Sequence, residues 1–122
     1  MTINEEVMFE EAVGRMGREV HRLAIEKGFW DGKMNAGRGL EAGVVAEKIA
    51  LVHSELSEAL ESARRWYPES KKIEDGNFEE ELADAVIRIM DLAVAMGVDL
   101  SGSILRKHEY NKTRERKHGK AM

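Results

Sequence analysis

Residues 47–61 read Glu47-Lys48-Ile49-Ala50-Leu51-Val52-His53-Ser54-Glu55-Leu56-Ser57-Glu58-Ala59-Leu60-Glu61. No glycine or proline interrupts the run, and its apolar residues return every three or four positions, the period of an α-helix. Extended outward, the arc comprises Val45, Ile49, Val52, Leu56, Ala59, Leu60 and Ala63, so the spacing predicts a helix from Leu40 or Val44 to Trp66. Pro68 and the polar stretch to Gly76 end it.

Three more helices surround this one. The first is predicted from about Thr2 to Lys27, where Thr2 and Glu5 have capping-box spacing and Gly28 is a stop. Its periodic residues are Phe9, Val13, Met16, Val20 and Leu23. The third starts at Asn77, carries Phe78, Leu82, Val86, Ile89, Ala93 and Met96, and stops at Gly97. A fourth runs from Asp99 or Ser101 to about Glu115, leaving 116–122 as a frayed, flexible tail. Gly32, Gly37, Gly39 and Gly43 make the first connection too glycine-rich for a helix. The expectation is a single all-α domain over residues 1–122.

Composition narrows the classes. The chain has 122 residues, no cysteine and a net charge of −4, so disulfide scaffolds and thiolate metal sites are excluded. No apolar run approaches the roughly 18 residues of a membrane helix, and the acidic N-terminus is unlike a signal, so no membrane and a cytoplasmic location are expected. Charge is segregated: Glu74, Asp75, Glu79, Glu80, Glu81, Asp84 and Asp91 stand against Arg88 alone. Arg106, Lys107, Lys112, Arg114, Arg116, Lys117 and Lys120 stand against Glu109 and Glu115. Solvated faces explain such a pattern, and so does a cation site beside a polyanion site. Nucleic acid is not the expected partner, because the chain is acidic overall and Tyr110 is the lone aromatic in the basic tail.

The chemistry concentrates on the second and third helices. Glu55 and Glu58, and again Glu81 and Asp84, are spaced i,i+3, which stacks each pair of carboxylates on one helix face. They flank the apolar arcs, so they point toward a neighbouring helix. Like charges buried there need a compensating cation, and a hard divalent ion prefers such oxygens. The competing reading is a solvated acidic face, with Arg88 available to Asp84 at i+4.

In order and separation these segments resemble the short MazG-like all-α nucleotide pyrophosphohydrolases. The resemblance spans nearly the whole chain: His21 with Lys27-Gly28-Phe29-Trp30-Asp31, residues 47–61, Glu80-Glu81-Leu82-Ala83-Asp84 with Ile87-Arg88, and Lys107, Asn111, Arg114 and His118-Gly119-Lys120. It implies a four-helix bundle assembling as a homodimer or a dimer of dimers, with active sites near the subunit interface. It implies Mg²⁺, or Mn²⁺ in its place, held by Glu55, Glu58, Glu81 and Asp84. The implied reaction is (d)NTP plus water giving (d)NMP and pyrophosphate, in dNTP pool control or house-cleaning, with a metal-activated water attacking the α-phosphorus and Glu55 or Glu58 as general base. Lys107, Asn111 and Arg114, with Lys48, are the expected phosphate partners. His21 and Trp30, with Phe29, are the expected base pocket, against the alternative of core packing at a helix end. Ser54 stands where many members carry a further acid. Two other functions fit the same fold: a dUTP- or phosphoribosyl-ATP-type pyrophosphohydrolase, and a non-catalytic helical interaction or regulatory module.

Overall fold

The computed structural model describes residues 1–34, 39–66 and 77–116. Expectations that fall on Gly37, on Pro68 and the connection to Gly76, or on the tail from residue 117 lie outside them. The fold is an all-α four-helix bundle: α1 (Ile3–Glu26), α2 (Ala42–Trp66), α3 (Asn77–Met96) and α4 (Leu100–Lys112).

Local chemistry fixes most helix ends. Thr2 and Glu5 form the reciprocal capping box: the Glu5 amide donates to Thr2 Oγ1 at 3.1 Å, and the Thr2 amide donates to Glu5 Oε1 at 2.7 Å. Gly28, at φ 87°, turns the chain out of α1, with the Gly28 amide on the Ile25 carbonyl and the Phe29 amide on the Ala24 carbonyl. This is a Schellman closure, and the left-handed residue is glycine because a Cβ there is strained. Gly97, at φ 68°, closes α3 with the same pair of bonds. Asp99 caps α4 by accepting from the Gly102 amide at 3.0 Å. The fourth helix is shorter than its composition predicts. The Thr113 hydroxyl donates to the Tyr110 carbonyl at 2.7 Å, and the last turn tightens there, so Arg114 lies beyond the helix instead of on its flank.

The helices α2 and α3 pack along their length, α1 packs on α3, and α4 packs chiefly on α1. Gly17 makes the second contact close: a Cβ there would meet Val94 Cγ2 at 3.1 Å.

The bundle buries part of each apolar arc, at Val20, Ala59 and Ala93, and leaves the larger arc residues of α2 and α3 outside. On α2 the buried residues are Lys48, Glu55, Ala59 and Ser62, a seam at helical spacing. Facing it, α3 offers Glu81, Ala85 and Arg88, of which Ala85 is buried and the other two half-buried. The predicted arc residues Ile49, Leu56 and Leu60 on α2, with Leu82, Val86 and Ile89 on α3, are exposed. In one chain, therefore, polar groups share the interior with small apolar residues, while larger apolar side chains are outside. No helix among the described residues is long and apolar enough to cross a membrane.

Candidate functional site

The seam brings together carboxylates that the sequence places on two helices. Glu55, Glu81 and Asp84 each present an oxygen, and these oxygens all lie within 4.8 Å of one another. One divalent ion with oxygen ligands at about 2.0–2.6 Å spans such a distance. Glu58 stands at the rim: it is exposed and not within that radius of all three, but its carboxylate is in hydrogen-bond reach of Glu81.

The carboxylates of the cluster shift one another's protonation. Hydrogen bonds shared with Glu55 and then with Glu58 push the Glu81 carboxyl up from its ordinary 4.5 to about 7. Burial pushes Glu55 upward too, but its hydrogen bonds with Glu81 and Arg88 outweigh that and hold it below the ordinary range. Glu81 Oε2 is buried with no hydrogen-bond donor. Facing carboxylates need a proton or a metal between them, and this orphaned oxygen is where a hard cation fits. The donor set is all oxygen, which suits Mg²⁺, Mn²⁺ or Ca²⁺.

Arg88 does not pair with Asp84 at i+4. Its Nε donates across the helix interface to Glu55 Oε1 at 2.9 Å. Glu55 is the more deeply buried acid, with its side chain 11 % exposed, and so gains more from a charged partner.

Beside the cluster lies a cavity of about 410 Å³ between α1, α2 and α3. That volume is in the range of small-ligand sites. Its apolar wall is Met16, Val20, Leu23, Phe29 and Ile87, and its polar wall is Lys27, Lys48, Glu55, Asp84, Arg88 and Asp91. No protein-family model, no curated protein and no solved structure matches this chain.

A hydrogen-bonded network lies behind this cavity and shares Phe29, Lys48 and Asp91 with its wall. Asp91 Oδ1 pairs with His21 Nδ1 at 2.6 Å and accepts from Trp30 Nε1 at 3.0 Å. Lys48 Nζ donates to the Phe29 carbonyl at 2.8 Å and sits 4.2 Å from the Trp30 ring centroid. Desolvation, then the charge of Lys33, lowers the Lys48 ammonium pKa from its ordinary value. Trp30 is only 3 % exposed, with its indole N–H on Asp91 and Lys48 over its ring. The aromatic that reaches the cavity wall is Phe29. His21 is buried against Asp91 and the edge of Trp30. The Schellman turn at Gly28 delivers Phe29 and Trp30 to these partners. Asp91→Ala would strand two buried donors, each costing about 1–3 kcal/mol. The expected result is a lower melting temperature and a red-shifted tryptophan emission, and an unchanged melting curve would contradict this network.

The expected phosphate partners near the C-terminus are elsewhere in the single chain. None of Lys107, Asn111 and Arg114 lines the cavity. Lys107 Nζ lies 4.8 Å from the Tyr110 ring centroid and the Arg114 guanidinium 5.7 Å from it. Asn111 Oδ1 is buried without a partner. Ser54 is exposed and turns its hydroxyl onto the Leu51 carbonyl at 2.7 Å.

Sequence reasoning missed the Arg88–Glu55 bond, the Asp91 network and the seam residue Ser62. His21 and Asp91 are 70 positions apart, and no local pattern links them.

Proposed function

We propose that this protein is a Mg²⁺-dependent nucleoside triphosphate pyrophosphohydrolase, converting (d)NTP and water to (d)NMP and pyrophosphate. The observation that carries the reading is the carboxylate cluster of Glu55, Glu81 and Asp84, with its orphaned oxygen, opening onto a cavity with one apolar and one charged wall. The resemblance of the sequence to MazG-like enzymes points the same way.

Glu55, Glu81 and Asp84 hold the ion in this reading, and Mn²⁺ substitutes for Mg²⁺. Once bound, Mg²⁺ neutralises phosphate charge and acidifies a coordinated water. Glu58, outside the cluster radius but beside Glu81, takes the proton from the water that attacks the α-phosphorus. Pyrophosphate leaves in line. Phe29 and the apolar wall receive the nucleobase, and Lys48 stands over the cavity at the end of its bond to the Phe29 carbonyl.

The same reading makes the protein a homo-oligomer. Burying Glu55 while exposing Leu56, Leu60, Leu82 and Val86 is costly for a monomer. A second copy covers those stripes, and its α4 with the residues just after it brings Lys107, Asn111 and Arg114 to the polyphosphate. The role that follows is control of a dNTP pool or removal of aberrant nucleotides.

A panel of canonical and modified triphosphates, with Mg²⁺ or with chelator, tests the reading. Pyrophosphate and the matching monophosphate should appear only with the cation. Glu58→Gln should keep cation binding and lose about 10²–10⁴ in turnover, the usual worth of a general base. Glu55→Gln should lose both. Full activity in a folded Glu58→Gln variant would remove Glu58 from this role.

A further inference from the structure

Arg88 occupies a position that the cation cluster alone does not explain. It sits one turn beyond Asp84 on α3 and lines the cavity, with its side chain 34 % exposed. Among the described residues, it is the cation bonded directly to a member of the cluster, through Nε to Glu55 Oε1 at 2.9 Å. Arginine has five N–H donors in a planar fork, and this bond uses one of them. The neighbouring cation Lys48 is already engaged by the Phe29 carbonyl and the Trp30 ring.

The charge balance gives that fork a task. Four carboxylates (Glu55, Glu58, Glu81 and Asp84) outweigh a single divalent ion, so an incoming polyphosphate meets residual repulsion. A fixed guanidinium at the cavity wall offsets part of the charge that the ion leaves uncompensated, and its planar geometry fits phosphate oxygens.

We propose that Arg88 is a phosphate-binding residue of the cavity, aimed by its bond to Glu55 so that one edge holds a cation ligand while the other takes a polyphosphate oxygen. The inference rests on the pyrophosphohydrolase reading for its choice of ligand. It makes Arg88 the link between ion and substrate. It also selects for polyphosphate esters over nucleosides, because a ligand without phosphate leaves the fork unpaired.

The test compares wild type, Arg88→Gln and Arg88→Lys, each shown to be folded by circular dichroism and thermal melting. Mn²⁺ alone is titrated by calorimetry. A non-hydrolysable α,β-methylene nucleoside triphosphate is then titrated into the Mn²⁺-loaded protein. In Arg88→Gln, Mn²⁺ affinity should stay within about threefold, while analogue affinity falls about 10- to 100-fold, the range for hydrogen bonds to charged groups. Arg88→Lys should recover little, since one ammonium cannot hold Glu55 and a phosphate with the same planar geometry. Analogue affinity unchanged in Arg88→Gln overturns the proposal, and with wild-type turnover intact it leaves the pyrophosphohydrolase reading standing. Parallel loss of Mn²⁺ affinity, with normal analogue binding once loaded, also overturns it and reduces Arg88 to a counter-ion for Glu55. If wild type binds the analogue through Arg88 but hydrolyses no triphosphate, the proposal stands and the hydrolase reading fails. Failure of wild type to bind the analogue overturns both.

Discussion

Glu81→Gln should melt a few degrees above wild type in chelator at pH 8, and should gain nothing from added Mg²⁺. In the wild-type chain the Glu81 carboxyl is pushed up to about 7 by its contacts with Glu55 and Glu58. The folded state therefore holds a proton there that the unfolded chain, at the ordinary 4.5, has released. Between those values stability falls as pH rises, and above about 7 the loss is complete. Glu55, held below the ordinary range, acts oppositely: its contribution is present at neutral pH and is lost on acidification. The chelated wild type should thus melt lower at pH 8 than at pH 5.5, and the difference should shrink in Glu81→Gln, whose amide donates where the carboxylate repels. A cation must displace the same proton, so Mg²⁺ affinity in the wild type should climb from pH 6 to pH 8. A Glu81→Gln variant that melts below wild type in chelator would contradict the strained-carboxylate account. Equal stabilisation of both proteins by Mg²⁺ would place the ion elsewhere.

The second large effect concerns assembly. Leu60 on α2 and Val86 on α3 are 53 % and 50 % exposed in the single chain. Burying such a side chain is worth about 1.5–3 kcal/mol, and a charge in its place reverses the sign. Wild type at micromolar concentration should sediment as a dimer or larger. The double variant Leu60→Glu, Val86→Glu should sediment as a monomer and lose most turnover, because Lys107, Asn111 and Arg114 are not brought to the cavity within one chain. A monomeric, fully active wild type would show that the exposed stripes have another purpose. It would also show that Lys107, Asn111 and Arg114 are not needed.

The helices could be read from the sequence because their boundaries are written locally. The Thr2–Glu5 box, the glycines at 28 and 97 and the Asp99 cap each act within a few residues. The end of α4 is also local: Thr113 satisfies the Tyr110 carbonyl from its own side chain, which ends the helix earlier than composition predicts. The i,i+3 spacing of Glu55–Glu58 and Glu81–Asp84 exposed the acidic faces, and the bundle brings Glu55, Glu81 and Asp84 into one cluster. Periodicity finds a face but not its partner, so the arcs through Leu56 and Val86 read as core although the chain leaves them exposed. Long-range bonds left no trace. Arg88 lies four residues from Asp84 and thirty-three from Glu55, and the distant acid is the one it binds, because Glu55 is the more buried charge. Trp30 is a similar case. Its position beside the glycine loop fits either nucleobase stacking or core packing, and the structure buries it, with Asp91 and Lys48 on it and Phe29 left at the cavity wall.

The most direct test of the central claim is hydrolysis of a triphosphate in ¹⁸O-labelled water with Mg²⁺, followed by mass analysis of both products. Attack at the α-phosphorus places the label in the nucleoside monophosphate and none in pyrophosphate, and Glu55→Gln abolishes the reaction. Label in pyrophosphate or in orthophosphate, or no Mg²⁺-dependent cleavage of any triphosphate by the folded, assembled protein, would contradict the account.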